Sequence, residues 1–202
     1  MAIASQPPIA KATGKLFGAG DTGTAPPGSA ASDAGEKGLP PIVALGIVGA
    51  VLGASALIGR RNAPDASHPG VRRWYRRLDK PGYTPPDAVF GAVWPVLETG
   101  LAVGGYRLLR QPATPRRNAA VGLWLANSAM IGGWTELFFR RKRLDASVAA
   151  SGAMIASGAA LVVTAAKVDR PAAVLAVPFV AWLGFATLLA ERIRRDNPQA
   201  GA

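Results

Sequence analysis

Apolar positions along this chain gather into five runs, separated by stretches where charge and proline collect. The runs cover 40–59, 88–106, 118–135, 146–166 and 171–190. Each is close to the ~20 residues an α-helix needs to cross a hydrocarbon core. The second is interrupted only by Glu98, and the third is followed by Glu136 and the pair Phe138 and Phe139. A single run of this length fits a helix buried in a large soluble domain. Five in succession leave too little polar chain to cover them, so lipid must be the solvent. The pattern predicts an all-α membrane protein, a five-transmembrane-helix bundle over residues 39–197, with a short tail at 198–202.

Residues 1–38 break the pattern. They are rich in Ala, Gly, Ser, Thr and Pro and lack the apolar density to bury a core, which predicts a disordered N-terminal tail. No apolar stretch lies near Met1, so a secretory leader is not expected. The tail has no Arg and contains Asp21, Asp33 and Glu36, unlike an organellar transit peptide. A bacterial inner membrane is the expected location.

The residues 71–78 follow a different period. On a helix Val71, Trp74, Tyr75 and Leu78 share one face, and Arg72, Arg73, Arg76 and Arg77 share the other. Such a helix can lie in the headgroup layer or form a solvated loop helix. The pattern alone leaves both open.

Charge refines the picture. The chain carries 23 Lys and Arg against 12 Asp and Glu, a net charge of +11. In a soluble protein that balance points to nucleic acid. Here the basic residues sit between apolar runs, as membrane loops do, so no nucleic-acid partner is expected. With five spans, the tail and the 107–117 and 167–170 loops share one side. The 60–87 and 140–145 loops and the C-terminus share the other, which is richer in Lys and Arg. That bias predicts a cytoplasmic C-terminus.

Reactive chemistry is sparse. The chain has no cysteine and one histidine, His68, which excludes disulfides, thiolate sites and multi-histidine metal sites. No nucleophile–base pair is evident, so no catalytic residue and no metal ligand are assigned. Glu98, in mid-span, either faces the bundle interior toward a ligand or helix partner, or is hydrogen-bonded there as structural glue. Glu136 and Glu191 lie near basic residues and predict local ion pairs with Arg140 and Arg194. Gly122, Ala126, Ala129 and Gly133 line one face of the third predicted helix, a smooth strip that another helix can approach closely. Gly46, Gly49 and Gly53 form a similar strip on the first, expected to pack inside the bundle. Pro81, Pro85 and Pro86 remove backbone donors and stiffen the loop before the second span.

Four blocks of the sequence form a signature. The first is WYRRLDKPGYTPP at 74–86. It continues as Phe90, Gly91, Val93 and Trp94. Trp134 and Thr135 with Leu137, Phe138 and Phe139 form the third. The fourth is Pro178, Phe179, Trp182, Phe185, Ala186 and Leu189. Together, in this order, the blocks resemble the TspO/MBR family of translocator and tryptophan-rich sensory proteins, a likeness that spans about 40–197. It implies an integral membrane protein that binds porphyrins or other tetrapyrroles, with sterol-like lipids as a second class, for sensing or transport. A light-dependent porphyrin-degrading enzyme, or a divergent member without tetrapyrrole binding, is the alternative. No permanent cofactor is implied; a porphyrin or haem-type tetrapyrrole is the expected ligand, and membrane lipid the surroundings. The implied ligand residues are Trp74, Tyr83, Pro85, Pro86, Phe90, Trp94, Glu98, Trp134, Phe138, Trp182 and Phe185. The likeness also implies a homodimer through Gly122, Ala126, Ala129 and Gly133. Departures from the family pattern are Glu98, Ile131, Glu136, Phe179, Ala190 and Glu191. Glu191 replaces the aromatic residue that a sterol-recognition pattern requires.

Overall fold

A computed structural model describes residues 37–200. The tail expected at 1–38 therefore lies outside the described residues, apart from Lys37 and Gly38. Within them the chain is all helical: α1 Pro41–Asn62, α2 Pro69–Arg77, α3 Asp87–Leu109, α4 Pro115–Thr135, a π-helix Glu136–Arg140, α5 Leu144–Ala166 and α6 Arg170–Asp196. Proline sits in the first turn of α1, α2, α4 and α6. A missing N–H is harmless there, and the fixed φ already suits a helix. Thr114 caps α4 by accepting from Arg117 N at 3.1 Å, and Asp169 caps α6 by accepting from Ala172 N at 2.8 Å.

Four helices, α1, α3, α5 and α6, are long and apolar enough to cross a membrane. Their outer faces leave large apolar side chains uncovered, including Ile42, Leu57, Val96, Val174 and Leu188, each at least 67% exposed. In water such surface would drive aggregation, whereas in lipid it is solvated. α4 has the length but is diluted by Asn118, Asn127 and Ser128. One face of it packs against α1, α3 and α5. Its fully buried Asn127 donates to Leu123 O at 2.8 Å and Ser157 Oγ at 2.9 Å, so its amide nitrogen is satisfied inside the bundle while its Oδ1 meets no donor. The core around it joins Leu101, Leu108, Trp124, Met154, Leu161, Phe179 and Leu183. Gly105 permits this closeness: a Cβ there would run into the Trp124 ring.

The first helix departs from expectation. Its buried positions are Ala44, Val48 and Asn62, while Gly46, Gly49 and Gly53 face outward, and a Cβ at any of the three would meet nothing. The contact face is set by Ala44 and Val48, with Ile47, Val51 and Leu52 beside them, because larger side chains fill the space between helices better.

Hydrogen bonds close the bundle at two ends. At one, Leu39 N donates to Leu109 O at 3.0 Å, and Arg117 reaches Leu108 O at 3.0 Å and Leu109 O at 2.7 Å. At the other, Asn62 meets Thr135 Oγ1 at 3.0 Å, Trp134 Nε1 donates to Ser147 O at 3.0 Å, and Arg194 bonds Asp145 at 3.1 Å. The ends of α1, α4 and α6 and the start of α5 therefore share one level. These are the two loop sets read from the sequence.

Candidate functional site

The second end carries an aromatic cluster. α2 lies across it with Trp74 and Tyr75 turned inward, as the helical period predicts. Trp74 meets the Phe138 ring edge-on at 5.8 Å between centroids, and Tyr75 meets Phe139 at 5.5 Å. Trp134 stacks on Phe138 at 4.9 Å and 14°. Phe90 from α3 and Phe185 from α6 pack against the same cluster, and Trp182 touches both, at 5.9 and 5.2 Å. Leu78, Leu144, Leu189 and Ile193 fill the floor between the rings.

The π-helix explains how Phe138 and Phe139 both join. Its wider turn offsets the residues after Thr135 from the α-helical register. Phe138 is thereby buried, and Phe139 still reaches Tyr75 and Trp134. Buried Asn62 sits against the start of this turn. With its amide oriented to satisfy both ends, it bonds Thr135 Oγ1 and the Glu136 carboxylate, each at 3.0 Å. Glu136 also pairs with Arg140 and Arg141, and Glu191 pairs with Arg194 and Arg195, as the basic neighbours predicted.

The segment after α2 leaves the cluster at Leu78 and is pinned from afar. Asp79 N donates to Asn197 Oδ1 at 2.9 Å, and Asn197 Nδ2 returns to Asp79 O at 2.8 Å. Thr84 closes a turn on Pro81 O, and Pro86 is the N-cap of α3. Two cations sit over rings: Lys80 over Tyr75 at 4.4 Å and Lys142 over Trp74 at 5.8 Å. Burial, with the Asp87 carboxylate adding, pushes the Tyr75 phenol up to about 12, so it stays neutral.

The sequence-derived candidates divide in space. Trp74, Phe90, Trp134, Phe138 and Phe185 come together, with Trp182 alongside. Tyr83 is 56% exposed, and Pro85 and Pro86 lie in the segment that leads into α3. Trp94 packs on the main core instead. Glu98 lies two helical turns from Phe90, with Ser55, Ser128 and Trp124 around a crevice of about 10 Å³, room for roughly one water. The strip of Gly122, Ala126, Ala129 and Gly133 is exposed on the outside of α4. Tyr75 and Phe139 belong to the cluster but were not among the candidates. The apolar face of 71–78 carried the signal for Tyr75; the signal for Phe139 was the register shift, which composition does not mark.

One donor in this region stands out. The Trp182 indole N–H is buried and meets no acceptor. The Trp134 N–H is already committed to Ser147 O. An indole N–H of this kind, beside two phenyl rings, can stack on a flat ligand and donate to an oxygen on it.

The family model described as TspO/MBR family matches residues 42–195. A human translocator protein is 33% identical over 129 residues, which cover 62% of this chain and 75% of that protein. A tryptophan-rich sensory protein of Cereibacter sphaeroides is 30% identical over 156 residues, 76% of this chain and 92% of its own length. Protein CrtK of Rhodobacter capsulatus is 29% identical over 127 residues, 62% of this chain and 79% of its own.

Proposed function

The chain belongs to the TspO/MBR family of integral multi-pass membrane proteins, and from that premise we propose that it binds a flat tetrapyrrole of the porphyrin or haem type at the aromatic cluster. The reading rests on one observation: Trp74, Phe90, Trp134, Phe138, Trp182 and Phe185 converge from separate elements. Stacking on the rings supplies affinity, and the orphan Trp182 N–H supplies orientation. The rings are in mutual contact, so a ligand enters by displacing Trp74. Sterol-like lipids are a second ligand class for the same apolar surfaces, and the bound ligand serves sensing or transport.

The same reading makes α4 a fifth crossing. Its 21 residues span about 32 Å at 1.5 Å each, enough for a ~30 Å core. Both its ends bond to ends of apolar helices, Thr135 to Asn62 and Arg117 to α3. The exposed strip of Gly122, Ala126, Ala129 and Gly133 is the proposed seam of a homodimer, and a bacterial inner membrane is the proposed location, with the C-terminus in the cytoplasm.

The test is quenching of tryptophan fluorescence by protoporphyrin in detergent, in the dark and under illumination. Saturable dark quenching is expected, with affinity about tenfold weaker in Trp182→Ala. No saturable quenching by wild type refutes tetrapyrrole binding. Consumption of the porphyrin with a new product, seen only under light, assigns the cluster to photochemical breakdown instead.

A further inference from the structure

We propose that the arginine face of α2 is a seat for the phosphate of an anionic phospholipid. Only one face of α2 is free. Trp74 and Tyr75 pack onto Phe138 and Phe139, so the apolar face is spent on the protein and cannot anchor in lipid tails. The opposite face is concave. Arg72, Arg73, Arg76 and Arg77, with Ala66 and Pro69, line an open basin of about 440 Å³. It points away from the aromatic cluster, so the inference does not depend on what that cluster binds.

Charge in the basin is unbalanced. Among the described residues, none of its four arginines is ion-paired to a carboxylate. At the same end of the bundle Arg140 and Arg141 pair with Glu136, Arg192 with Asp196, Arg194 with Asp145 and Glu191, and Arg195 with Glu191. Within α2 the pairs 72/76 and 73/77 stand four apart, and 73/76 three apart, where like charges repel across a helix surface. A nine-residue helix has little intrinsic stability to oppose that repulsion. A phosphate held between guanidinium forks removes it, and the planar fork matches phosphate oxygens two at a time.

The occupant is a lipid rather than a free anion. The basin lies where α1 ends and α3 begins, the depth at which headgroups sit. At that end Leu57 and Ile58 of α1 and Val89 of α3 remain exposed and offer acyl chains a wall to lie against. A soluble phosphate gains nothing from such a wall.

The experiment measures thermal stability and lipid retention, by native mass spectrometry, of the full chain in detergent with added phosphatidylglycerol, phosphatidylcholine or inorganic phosphate. Wild type is expected to retain phosphatidylglycerol and to be stabilised by it above phosphatidylcholine. Replacing Arg72, Arg73, Arg76 and Arg77 with Gln is expected to weaken retention roughly tenfold or more. Replacing Arg60, Arg61, Arg192 and Arg195 with Gln removes the same number of charges from this end and is expected to leave retention intact. If the fourfold variant does not fold, Arg73→Lys and Arg76→Lys keep charge and lose the fork, and each is expected to weaken retention. Equal retention in wild type and the basin variants overturns the proposal, as does equal loss in the control. Full stabilisation by inorganic phosphate alone overturns the lipid assignment.

Discussion

Asp169 shows how much one side chain can organise in this bundle. Its carboxylate accepts from Arg107 Nε at 2.9 Å and Nη2 at 3.1 Å, from Gln111 Nε2 at 2.9 Å, and from Ala172 N at 2.8 Å. It caps α6 and ties it to the end of α3. Burial works to raise its pKa, but the bonds from Arg107, Ala172 N and Gln111 outweigh it and hold the carboxyl below its ordinary 3.8. A group with a depressed folded pKa stabilises the fold above its unfolded value, and that contribution is lost as pH falls through the folded one. Asp169→Ala is expected to lose about 1 kcal/mol from the cap alone. Asp169→Asn keeps a cap acceptor and loses the charge. Melting in detergent is therefore expected to show a gap between wild type and Asp169→Asn at neutral pH that closes as the pH drops below 4. A gap independent of pH would contradict this account. The sequence presented Asp169 only as an acid in a short loop, because its partners lie 58 and 62 residues away. The tryptophans carried a similar ambiguity. Trp94, Trp134 and Trp182 look alike as a series, and only their surroundings separate a core packer, a ring whose N–H is committed and a ring whose N–H is free.

Elements were more legible than residues. Each apolar run became a helix, and each helix runs beyond its run, because charges extend it where lipid no longer matters. α6 continues from Ala190 to Asp196 on the pairs Arg192 with Asp196 and Glu191 with Arg194 and Arg195. The short amphipathic helix was legible from period alone, since its two faces differ so sharply. The π-helix was not, because a slip in hydrogen-bond register depends on distant Asn62 and on packing between rings. Asn197→Ala removes both bonds to Asp79, along with the bond from Asn197 Nδ2 to Ile193 O at the end of α6, and is expected to speed tryptic cleavage after Arg77 several-fold. Equal cleavage rates would show that the segment is held by its aromatic contacts instead. Gly133→Leu places a bulky side chain on the exposed strip of α4, where a Cβ meets nothing within the chain. It is expected to leave the monomer folded and to shift sizing in detergent toward monomer. An unchanged dimer would remove this strip as the seam.

For the molecule as a whole, hydrocarbon as solvent was the inference that composition and pattern carried best. Only 17% of residues are charged, against roughly 25% in soluble domains, and the exposed Ile, Leu and Val of the outer faces agree. The two bonded ends reproduce the two loop sets, so sidedness reduces to one choice of sign. A fluorescent reporter fused after Ala202 is expected to light in the cytoplasm, and a periplasmic phosphatase fused there to stay inactive. The reverse result would invert the topology. Which faces of the helices meet was not legible, as the outward Gly46, Gly49 and Gly53 show, because small residues suit a close contact and an empty one equally. The bond between Asp79 and Asn197 joins positions 118 residues apart. Chains are made from the N-terminus onward at about 5–20 residues per second. The earlier partner therefore leaves the ribosome many seconds before the later one exists. Throughout that interval the aromatic rings of the second and third long helices stand without their latch, and for most of it without Trp182 and Phe185, the last rings of the cluster to be made.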